Sequence, residues 1–286
     1  MKISAIEKAE ILSKALPFIQ KYHNKIIVVK YGGNAMKNEQ LKENVIADVV
    51  LLAEIGIKVV LVHGGGPEIN KMLDKVGIQS TFIKGLRYTD KETMNIVQMV
   101  LAGKTNKDLV GMLHRKGAKA IGICGMDGGL IRASKLASDE DLGYVGSIEG
   151  IHEEVLFDLL DKGYIPVVAS VGVDEMGTVY NINADTAASS IAGKLSAENF
   201  LLVSDVPGVL EDPTDDTTLI PNIQIRNVEA LMERGIISGG MIPKVNCCMN
   251  AIKHDVKKSV IIDGRVPHSI LIEMLTEDGI GTMFEK

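Results

Sequence analysis

The sequence predicts an α/β protein built around a central, mainly parallel β-sheet. Short runs of β-branched residues alternate with amphipathic stretches that end at glycine, an alternation typical of parallel strands connected by helices. Glycine-rich turns follow each of the first two strands, at 32–33 and 64–66. Hydrophobic residues make up 46% of the 286-residue chain and charged residues 24%, so the composition indicates a folded globular protein of one or two domains.

The first half of the chain predicts strand–helix units after a leading helix. This helix covers residues 4–22 and has a partial apolar stripe, which Pro17 is expected to kink. We predict that Thr89–Glu92 (TDKE) is a capping box that starts the helix after a hairpin. The other predicted elements are a strand at 25–30, a helix at 38–55, a strand at 58–62, a helix from 67 to the stop at 77, a hairpin at 78–88, a strand at 119–123 and a hairpin region at 130–149.

The second half continues the alternation and adds a loop at 205–222, expected to be exposed and mobile because it is rich in proline and aspartate. No linker is evident, so we expect an appended helix at 1–24 and two lobes, 25–180 and 181–286, that share one sheet. The predicted elements are a helix ending at 163, a buried strand at 165–171, a hairpin leading into 180–185, a helix at 186–194, a strand at 200–204, helices near 227–234 and 241–254, a strand at 259–263 and a final helix–strand pair.

Charge and composition exclude several classes of partner. The net charge of −6 disfavours a general nucleic-acid or anionic-membrane surface. No apolar run approaches the ~20 residues of a membrane-spanning helix, and residues 1–20 do not read as a signal peptide. Cys124, Cys247 and Cys248 offer neither a disulfide framework nor a zinc-site spacing. We therefore expect a cytoplasmic protein that binds neither nucleic acid nor membranes.

The two glycine turns are the main chemical signal. Glycines at the carboxyl end of a parallel strand let the backbone approach a ligand, and the next helix offers unpaired N–H groups to an anion. The turns therefore suggest a phosphate site, although tight strand–helix connections would also need glycine. The ordinary nucleotide motifs are absent: the segment Ala102–Thr105 (AGKT) lacks the earlier P-loop glycine, and no G-x-G-x-x-G follows a strand.

Four charged residues are candidates for the chemistry of such a site. Lys30 ends the first strand, and Lys244 lies in a predicted helix N-terminus; each is otherwise a surface lysine. Asp185 either acts in the site or caps a helix. Arg87 is either a carboxylate clamp or a surface arginine. His63 is expected to pack, and no cluster has metal-ligand spacing, so any metal should arrive with a nucleotide.

Six motifs in order span nearly the whole chain: Lys30–Met36 (KYGGNAM), His63–Pro67 (HGGGP), Gly85–Arg87 (GLR), Asn181–Asp185 (NINAD), Ser204–Gly208 (SDVPG) and Gly240–Lys244 (GMIPK). This set resembles the amino acid kinase family. The first, third and fourth motifs point within it to the members that phosphorylate N-acetyl-L-glutamate. Tyr88 departs from the valine expected after the third motif, in the hairpin on the substrate side.

The resemblance implies a three-layer αβα sandwich and transfer of the ATP γ-phosphoryl group, with Mg²⁺, to the γ-carboxylate of N-acetyl-L-glutamate in arginine biosynthesis. A carboxylate with a pKa of ~4.3 is ionised at neutral pH, so the nucleophile needs no general base. It needs charge neutralisation and in-line positioning, which lysines and backbone N–H groups supply.

The resemblance also implies roles for individual residues. Lys30 and Lys244 would stabilise the transferring phosphoryl oxygens, and Asp185 would hold both ammonium groups. In the lobe 25–180, Arg87 would grip the α-carboxylate. The remaining substrate-binding candidates are Gly32, Gly33, Gly64, Gly65, Gly66, Asn181 and Asn183. The nucleotide-binding candidates, assigned to the lobe 181–286, are Ser204, Asp205, Val206, Gly208, Gly239, Gly240 and Met241.

The leading helix has a separate implication. In arginine-inhibited members of the family, such a helix links dimers into a hexamer, a trimer of dimers, and arginine binds beside it. Tyr22, His268, Glu277 and Gly279 are the candidates for that site here. The alternative is a helix that packs only on its own core. For the whole chain, the alternatives are another amino acid or carbamate kinase of the same family and a non-catalytic nucleotide- or arginine-sensing module, with hydride transfer a distant third.

Overall fold

The computed structural model describes residues 4–36 and 38–286, and its secondary structure follows the predicted alternation. The strands are β1 Ile26–Tyr31, β2 Lys58–His63, β3 Phe82–Ile83, β4 Leu86–Arg87, β5 Ala120–Cys124, β6 Ile131–Lys135, β7 Gly146–Ile151, β8 Ile165–Ala169, β9 Val171–Val173, β10 Val179–Asn181, β11 Asn199–Ser204, β12 Asn222–Gln224, β13 Lys258–Asp263 and β14 Thr282–Glu285. The helices are α1 Ala5–Tyr22, α2 Glu39–Glu54, α3 Gly66–Lys75, α4 Lys91–Gln98, α5 Asn106–Arg115, α6 Glu154–Asp161, α7 Ala184–Lys194, α8 Val228–Glu233, α9 Met241–Lys253 and α10 Ser269–Leu275.

Within these described residues, the central sheet has eight strands in the order β12-β14-β13-β11-β1-β2-β8-β5. Neighbouring strands are parallel except β13 and β14, so the predicted mainly parallel sheet is confirmed. A smaller sheet, β10-β9-β6-β7, and the hairpin β3–β4 stand apart from it. Parallel strands need their faces covered, and the helices between them provide the cover.

Helices pack on both faces of the central sheet, as an αβα sandwich requires. Successive side chains of a strand point to opposite faces. On β1, Val28 joins a core with α7, α9 and the smaller sheet. Ile27 and Val29 join a second core with α2, α5 and α10. The continuous apolar runs of β1, β2 and β11 are thus explained by burial on two sides.

Two local predictions were wrong. The helix after the hairpin is capped by Asp90, whose carboxylate accepts from Thr93 N, so Thr89 does not start a capping box. The strand predicted at 165–171 divides into β8 and β9, which belong to different sheets. The P-loop-like segment Ala102–Thr105 lies in a π-helical stretch, Met99–Thr105, that joins α4 directly to α5.

The leading helix α1 continues through Pro17 and begins with a capping box between Ser4 and Glu7. Tyr22 at its end is buried, whereas Ile6 and Leu12 are each 73% exposed. The helix is therefore anchored to the rest of the protein at its carboxyl end, and much of its apolar stripe stays exposed. No helix in the described part of the chain has the length and apolar character needed to cross a bilayer.

Replacing Leu61, which is fully buried in the central strand β2, should remove core packing and leave a cavity. We expect Leu61→Ala to lower the free energy of unfolding by about 2–5 kcal/mol, measured by chemical denaturation. The control is Met176→Ala at a side chain that is 90% exposed, where the change should stay within about 0.5 kcal/mol. Equal effects of the two substitutions would contradict the burial described for β2.

Candidate functional site

A cavity of about 240 Å³ lies at the carboxyl ends of β1 and β2, where both glycine turns meet. Its charged lining residues are one lysine, one arginine and one aspartate: Lys30, Arg87 and Asp185. The other predicted residues in its lining are Gly32, Gly33, Gly64, Gly65, Gly66, Asn181 and Asn183. The structure thus brings the predicted acceptor-side residues into one cavity.

Lys30 and Asp185 form an ion pair in this cavity. Lys30 Nζ lies 2.8 Å from Asp185 Oδ1, and both side chains are largely buried. Burial alone would raise the pKa of Asp185, but the ammonium groups of Lys30 and Lys244 outweigh it and hold that pKa below its ordinary value. Lys244 is half-buried in the first turn of α9 and is not part of the cavity lining. The carboxylate therefore stays ionised, paired directly with Lys30 and under the influence of the Lys244 charge.

Asn183, not Asp185, caps the helix α7. Its Oδ1 accepts from the backbone N–H groups of Asp185 and Thr186, at 2.9 and 3.1 Å. The alternative that Asp185 is a cap is therefore wrong. Because Asn183 takes the cap, the carboxylate of Asp185 is left to pair with Lys30.

The two glycine turns are held by different constraints. Gly33 adopts a φ of +68° and has open space where a side chain would be, so backbone conformation selects glycine there. At Gly65, a Cβ would lie 2.7 Å from Leu101 Cδ2 in the π-helical stretch. Close packing therefore selects glycine at the second turn. Both the ligand explanation and the tight-turn explanation of these glycines are compatible with this geometry.

Arg87 at the end of β4 is buried and held by the segment around α3. Its Nη2 donates to Asn70 Oδ1 at 2.6 Å and to Gly66 O at 3.3 Å, and its Nη1 donates to the Ser80 hydroxyl. The guanidinium also lies 4.7 Å from the ring centroid of Phe82. These neutral partners leave its charge uncompensated by any described carboxylate, so Arg87 is not an ordinary surface arginine.

A chain of hydrogen bonds fixes the orientation of Asn181. The Thr89 hydroxyl donates to Arg87 O at 2.8 Å, so its oxygen accepts from Asn181 Nδ2, 3.2 Å away. The amide oxygen of Asn181 is thereby turned away from Thr89. Thr89 is completely buried, and sequence analysis missed its role because it assigned the residue to a helix cap.

His63 and Asn106 form a buried network beneath the second glycine turn. His63 Nδ1 lies 2.9 Å from Gly64 O, and Asn106 Nδ2 lies 3.1 Å from His63 Nε2. Asn106 Nδ2 also contacts Val167 O in β8, at 2.8 Å. A neutral imidazole with its proton on Nδ1 satisfies both contacts. His63 packs, as expected, and the network ties the turn to the neighbouring strands.

The nucleotide-side candidates lie outside the lining of the cavity. Ser204, Asp205 and Val206 follow β11, and the Ser204 hydroxyl donates to Asp205 Oδ1 at 3.4 Å. Gly208 has a φ of +156°, and a Cβ there would lie 2.4 Å from Thr282 Oγ1. The glycine pair 239–240 and Met241 form the start of α9. In the described part of the chain, no group of three or more His, Cys, Asp or Glu side chains could hold a metal ion.

A separate cavity of about 210 Å³ lies between the end of α1 and the segment after α10. Tyr22, Glu277 and Gly279 line it, together with Glu273, which sequence analysis did not select. His268 is not in its lining: its Nδ1 lies 2.6 Å from Oδ1 of the buried Asp48 in α2. Of the four predicted effector residues, three are therefore brought together and His268 is not.

Comparison with known proteins gives a consistent result. The model of the "Amino acid kinase family" matches residues 25–263. The chain is 53% identical to the acetylglutamate kinase of Brachyspira hyodysenteriae, covering 99% of both chains. It is 54% identical to that of Clostridium beijerinckii, covering 97% of this chain and 98% of that protein.

Two solved structures share the fold at lower identity. One is N-acetylglutamate synthase of Neisseria gonorrhoeae complexed with coenzyme A and N-acetyl-glutamate, with a TM-score of 0.85 at 23% identity; the match covers 97% of this chain and 63% of that one. The other is a carbamate kinase of Giardia lamblia bound to AMP-PNP, with a TM-score of 0.65 at 17% identity, covering 92% and 99%.

The buried His63 predicts a pH dependence of stability. Burial lowers the pKa of His63 to about 4, against about 6.5 for an unfolded histidine. Between these values the unfolded chain binds a proton that the folded chain does not. The free energy of unfolding should therefore rise with pH between about 4 and about 6.5. Lowering the pH through this range should reduce it by up to about 3 kcal/mol.

Chemical denaturation at several pH values tests this dependence. The His63→Gln variant should show a smaller change in the free energy of unfolding across that range. The control is His152→Gln, at an exposed histidine. If both variants keep the same pH dependence, the buried neutral imidazole is not its source.

Proposed function

This chain belongs to the amino acid kinase family, and we propose that it transfers the γ-phosphoryl group of ATP to the γ-carboxylate of N-acetyl-L-glutamate. The products are ADP and an acyl phosphate used in arginine biosynthesis. The observation that carries the proposal is one cavity lined both by the Lys30–Asp185 pair and by Arg87 with two asparagines. High identity to acetylglutamate kinases over nearly the whole chain supports the same acceptor.

The acceptor is recognised at its α-carboxylate and its amide. Arg87 supplies an uncompensated guanidinium, which matches a carboxylate in charge and planarity. Asn181 Nδ2 is engaged by Thr89 and Asn183 Oδ1 by the cap of α7. That leaves Asn181 Oδ1 to accept from the acetamido N–H and Asn183 Nδ2 to donate to its C=O. Glutamate has no acyl C=O, so it would leave the Asn183 Nδ2 donor without a partner.

The transfer step needs positioning and charge, not proton abstraction. An oxygen of the γ-carboxylate attacks the γ-phosphorus, and the bond from that phosphorus to the β,γ-bridging oxygen breaks, leaving the electron pair on ADP. Lys30 and Lys244 neutralise charge on the phosphoryl oxygens. The backbone N–H groups of Gly33 and Gly65 face the same oxygens, and Asp185 holds the ammonium groups in place.

Mg²⁺ accompanies the nucleotide in this proposal. The described residues contain no carboxylate–histidine cluster that would cage a metal, which suits an ion held mainly by phosphates and water. The bound ion supplies charge neutralisation at the phosphates. ATP binds in the lobe 181–286 near the end of β11 and the start of α9, and 1–24 is an appendage. The acceptor binds mainly in the lobe 25–180, and Asn181 and Asn183 at the start of the other lobe complete its cavity. The three free cysteines suit a reducing compartment, and we place the enzyme in the cytoplasm.

The direct test is an acceptor panel with ATP and Mg²⁺, in which ADP release and hydroxylamine-trapped acyl phosphate are measured. We expect turnover with N-acetyl-L-glutamate and little with glutamate, aspartate or bicarbonate plus ammonia. Preference for aspartate or carbamate would indicate another kinase of the family. Binding of ATP without turnover of any acceptor would indicate a sensing module.

The two lysines should be essential to the transfer step. We expect Lys30→Ala and Lys244→Ala to lower kcat by about 10²–10³-fold or more, because each removes a charge from the transferring group. The control is Lys104→Ala, at an exposed lysine of the P-loop-like segment that pairs with Asp108. Near-normal kcat in either site variant would exclude that lysine from the step.

We also propose that arginine inhibits this enzyme and that α1 links dimers into a hexamer. Glu273, Glu277 and Asp278 give the cavity beside α1 carboxylates that suit a guanidinium. Ile11, Leu12 and Leu16 are at least half exposed on α1, an apolar surface that a second copy of the helix would cover.

Disrupting that apolar surface should separate the hexamer. We expect Leu12→Glu to give a smaller assembly in light scattering and to weaken arginine inhibition, because a buried carboxylate without a partner opposes helix docking. Gln20→Glu, at an exposed position on the same helix, should change neither. An unchanged size and inhibition curve for Leu12→Glu would refute the proposal.

A further inference from the structure

A second cavity, of about 400 Å³, opens beside the acceptor cavity. It lies between β7 of the smaller sheet and the helices α7 and α9. Leu86, Val145 and Asn183 line both cavities. The two cavities therefore adjoin at these three residues.

The chemistry of this second cavity is mainly apolar. Leu136, Ile148 and Cys247 contribute to its walls, and no lysine, arginine, aspartate or glutamate of the described chain lines it. Burial raises the pKa of Cys247 to about 11, so the thiol is uncharged at neutral pH. Hydroxyl and amide side chains, such as those of Ser147 and Asn246, complete the lining. An uncharged, flexible chain fits such a cavity, whereas a carboxylate would lose hydration there with no lysine or arginine to pair with.

Asn183 lies at the junction between the two cavities. Its Oδ1 is occupied by the N-terminus of α7, so only Nδ2 is available to a ligand carbonyl. Leu86 and Val145 are the other two residues that line both cavities, so the carbons beyond an acyl carbonyl bound at Nδ2 would meet apolar side chains where the cavities adjoin. The acyl chain then continues toward β7 and α9.

We propose that this enzyme binds and phosphorylates N-acyl-L-glutamates with unbranched acyl chains longer than acetyl, and that the chain occupies this second cavity. The inference rests on the proposed function, since it assigns a substrate class to the same site. The reaction is unchanged: the γ-carboxylate remains the nucleophile and ADP the leaving group. Acyl length alters binding of the acceptor, not the bonds that form and break.

Kinetics with a series of acceptors tests the proposal. The series is N-acetyl-, N-propionyl-, N-butyryl- and N-hexanoyl-L-glutamate, with N-succinyl-L-glutamate as a charged match to the butyryl compound. We expect KM to fall by roughly threefold for each methylene that is buried, with kcat little changed. The succinyl compound should bind more weakly than the butyryl compound because its terminal carboxylate enters a mainly apolar space that no lysine or arginine lines.

A variant that fills the second cavity tests whether longer acyl chains bind in this cavity or extend into solvent. Ser147 in β7 lines the second cavity only, and Ser134 lies opposite it in β6 and lines neither cavity. Ser147→Phe should remove the preference for longer chains and keep turnover of the acetyl compound. The matched Ser134→Phe should keep that preference. Asn246→Phe, from the α9 wall, provides a second filling variant if Ser147→Phe fails to fold.

The outcomes separate this inference from the proposed function. Loss of turnover with longer chains, or a KM independent of chain length, overturns the inference while turnover of N-acetyl-L-glutamate stands. A preference for longer chains that survives both filling variants also overturns it, because the chain then lies elsewhere. Absence of turnover with N-acetyl-L-glutamate itself overturns the proposed function, and the inference falls with it.

Discussion

The position of β1 between two parallel neighbours is the constraint on which the site depends. β1 pairs with β2 on one side and with β11 on the other, in registers that place Lys30 opposite Val62 and Leu202. Both faces of β1 are buried, so the strand cannot shift without moving two cores. Its carboxyl end therefore holds Lys30 at the edge of the sheet where the cavity with Asp185 and Arg87 lies.

Around that fixed strand, short polar contacts orient the groups that line the cavity. Lys30 is held by Asp185, Asp185 is positioned by the first turn of α7, and that turn is capped by Asn183. Thr89 orients Asn181 in the same cavity. These contacts restrict the conformations of the polar side chains in the cavity, and fixed polar groups of this kind need little reorganisation during a reaction.

Much of this arrangement could be predicted from the sequence, because buried parallel strands leave short β-branched runs and phosphate turns leave glycines. Local pattern could not decide which of Asn183 and Asp185 caps α7. Both residues are good helix caps, and the choice depends on Lys30, which lies 155 positions earlier in the chain and engages Asp185. The pairing of His268 with Asp48, across 220 positions, likewise left no local pattern. Local propensity thus predicted the positions of the helices and strands. The partners of charged side chains depended on contacts between residues far apart in the sequence.

The double use of Asn183 has a consequence for how such an enzyme can change its acceptor. The same side chain caps the N-terminus of α7 and lines both cavities. A substitution there would alter selectivity and, by removing the cap, would also cost roughly 1 kcal/mol of stability. Evolution or engineering toward a different acceptor therefore meets a lower barrier at neighbouring wall positions such as Val145, which change the shape of the cavity without loosening the helix that carries Asp185.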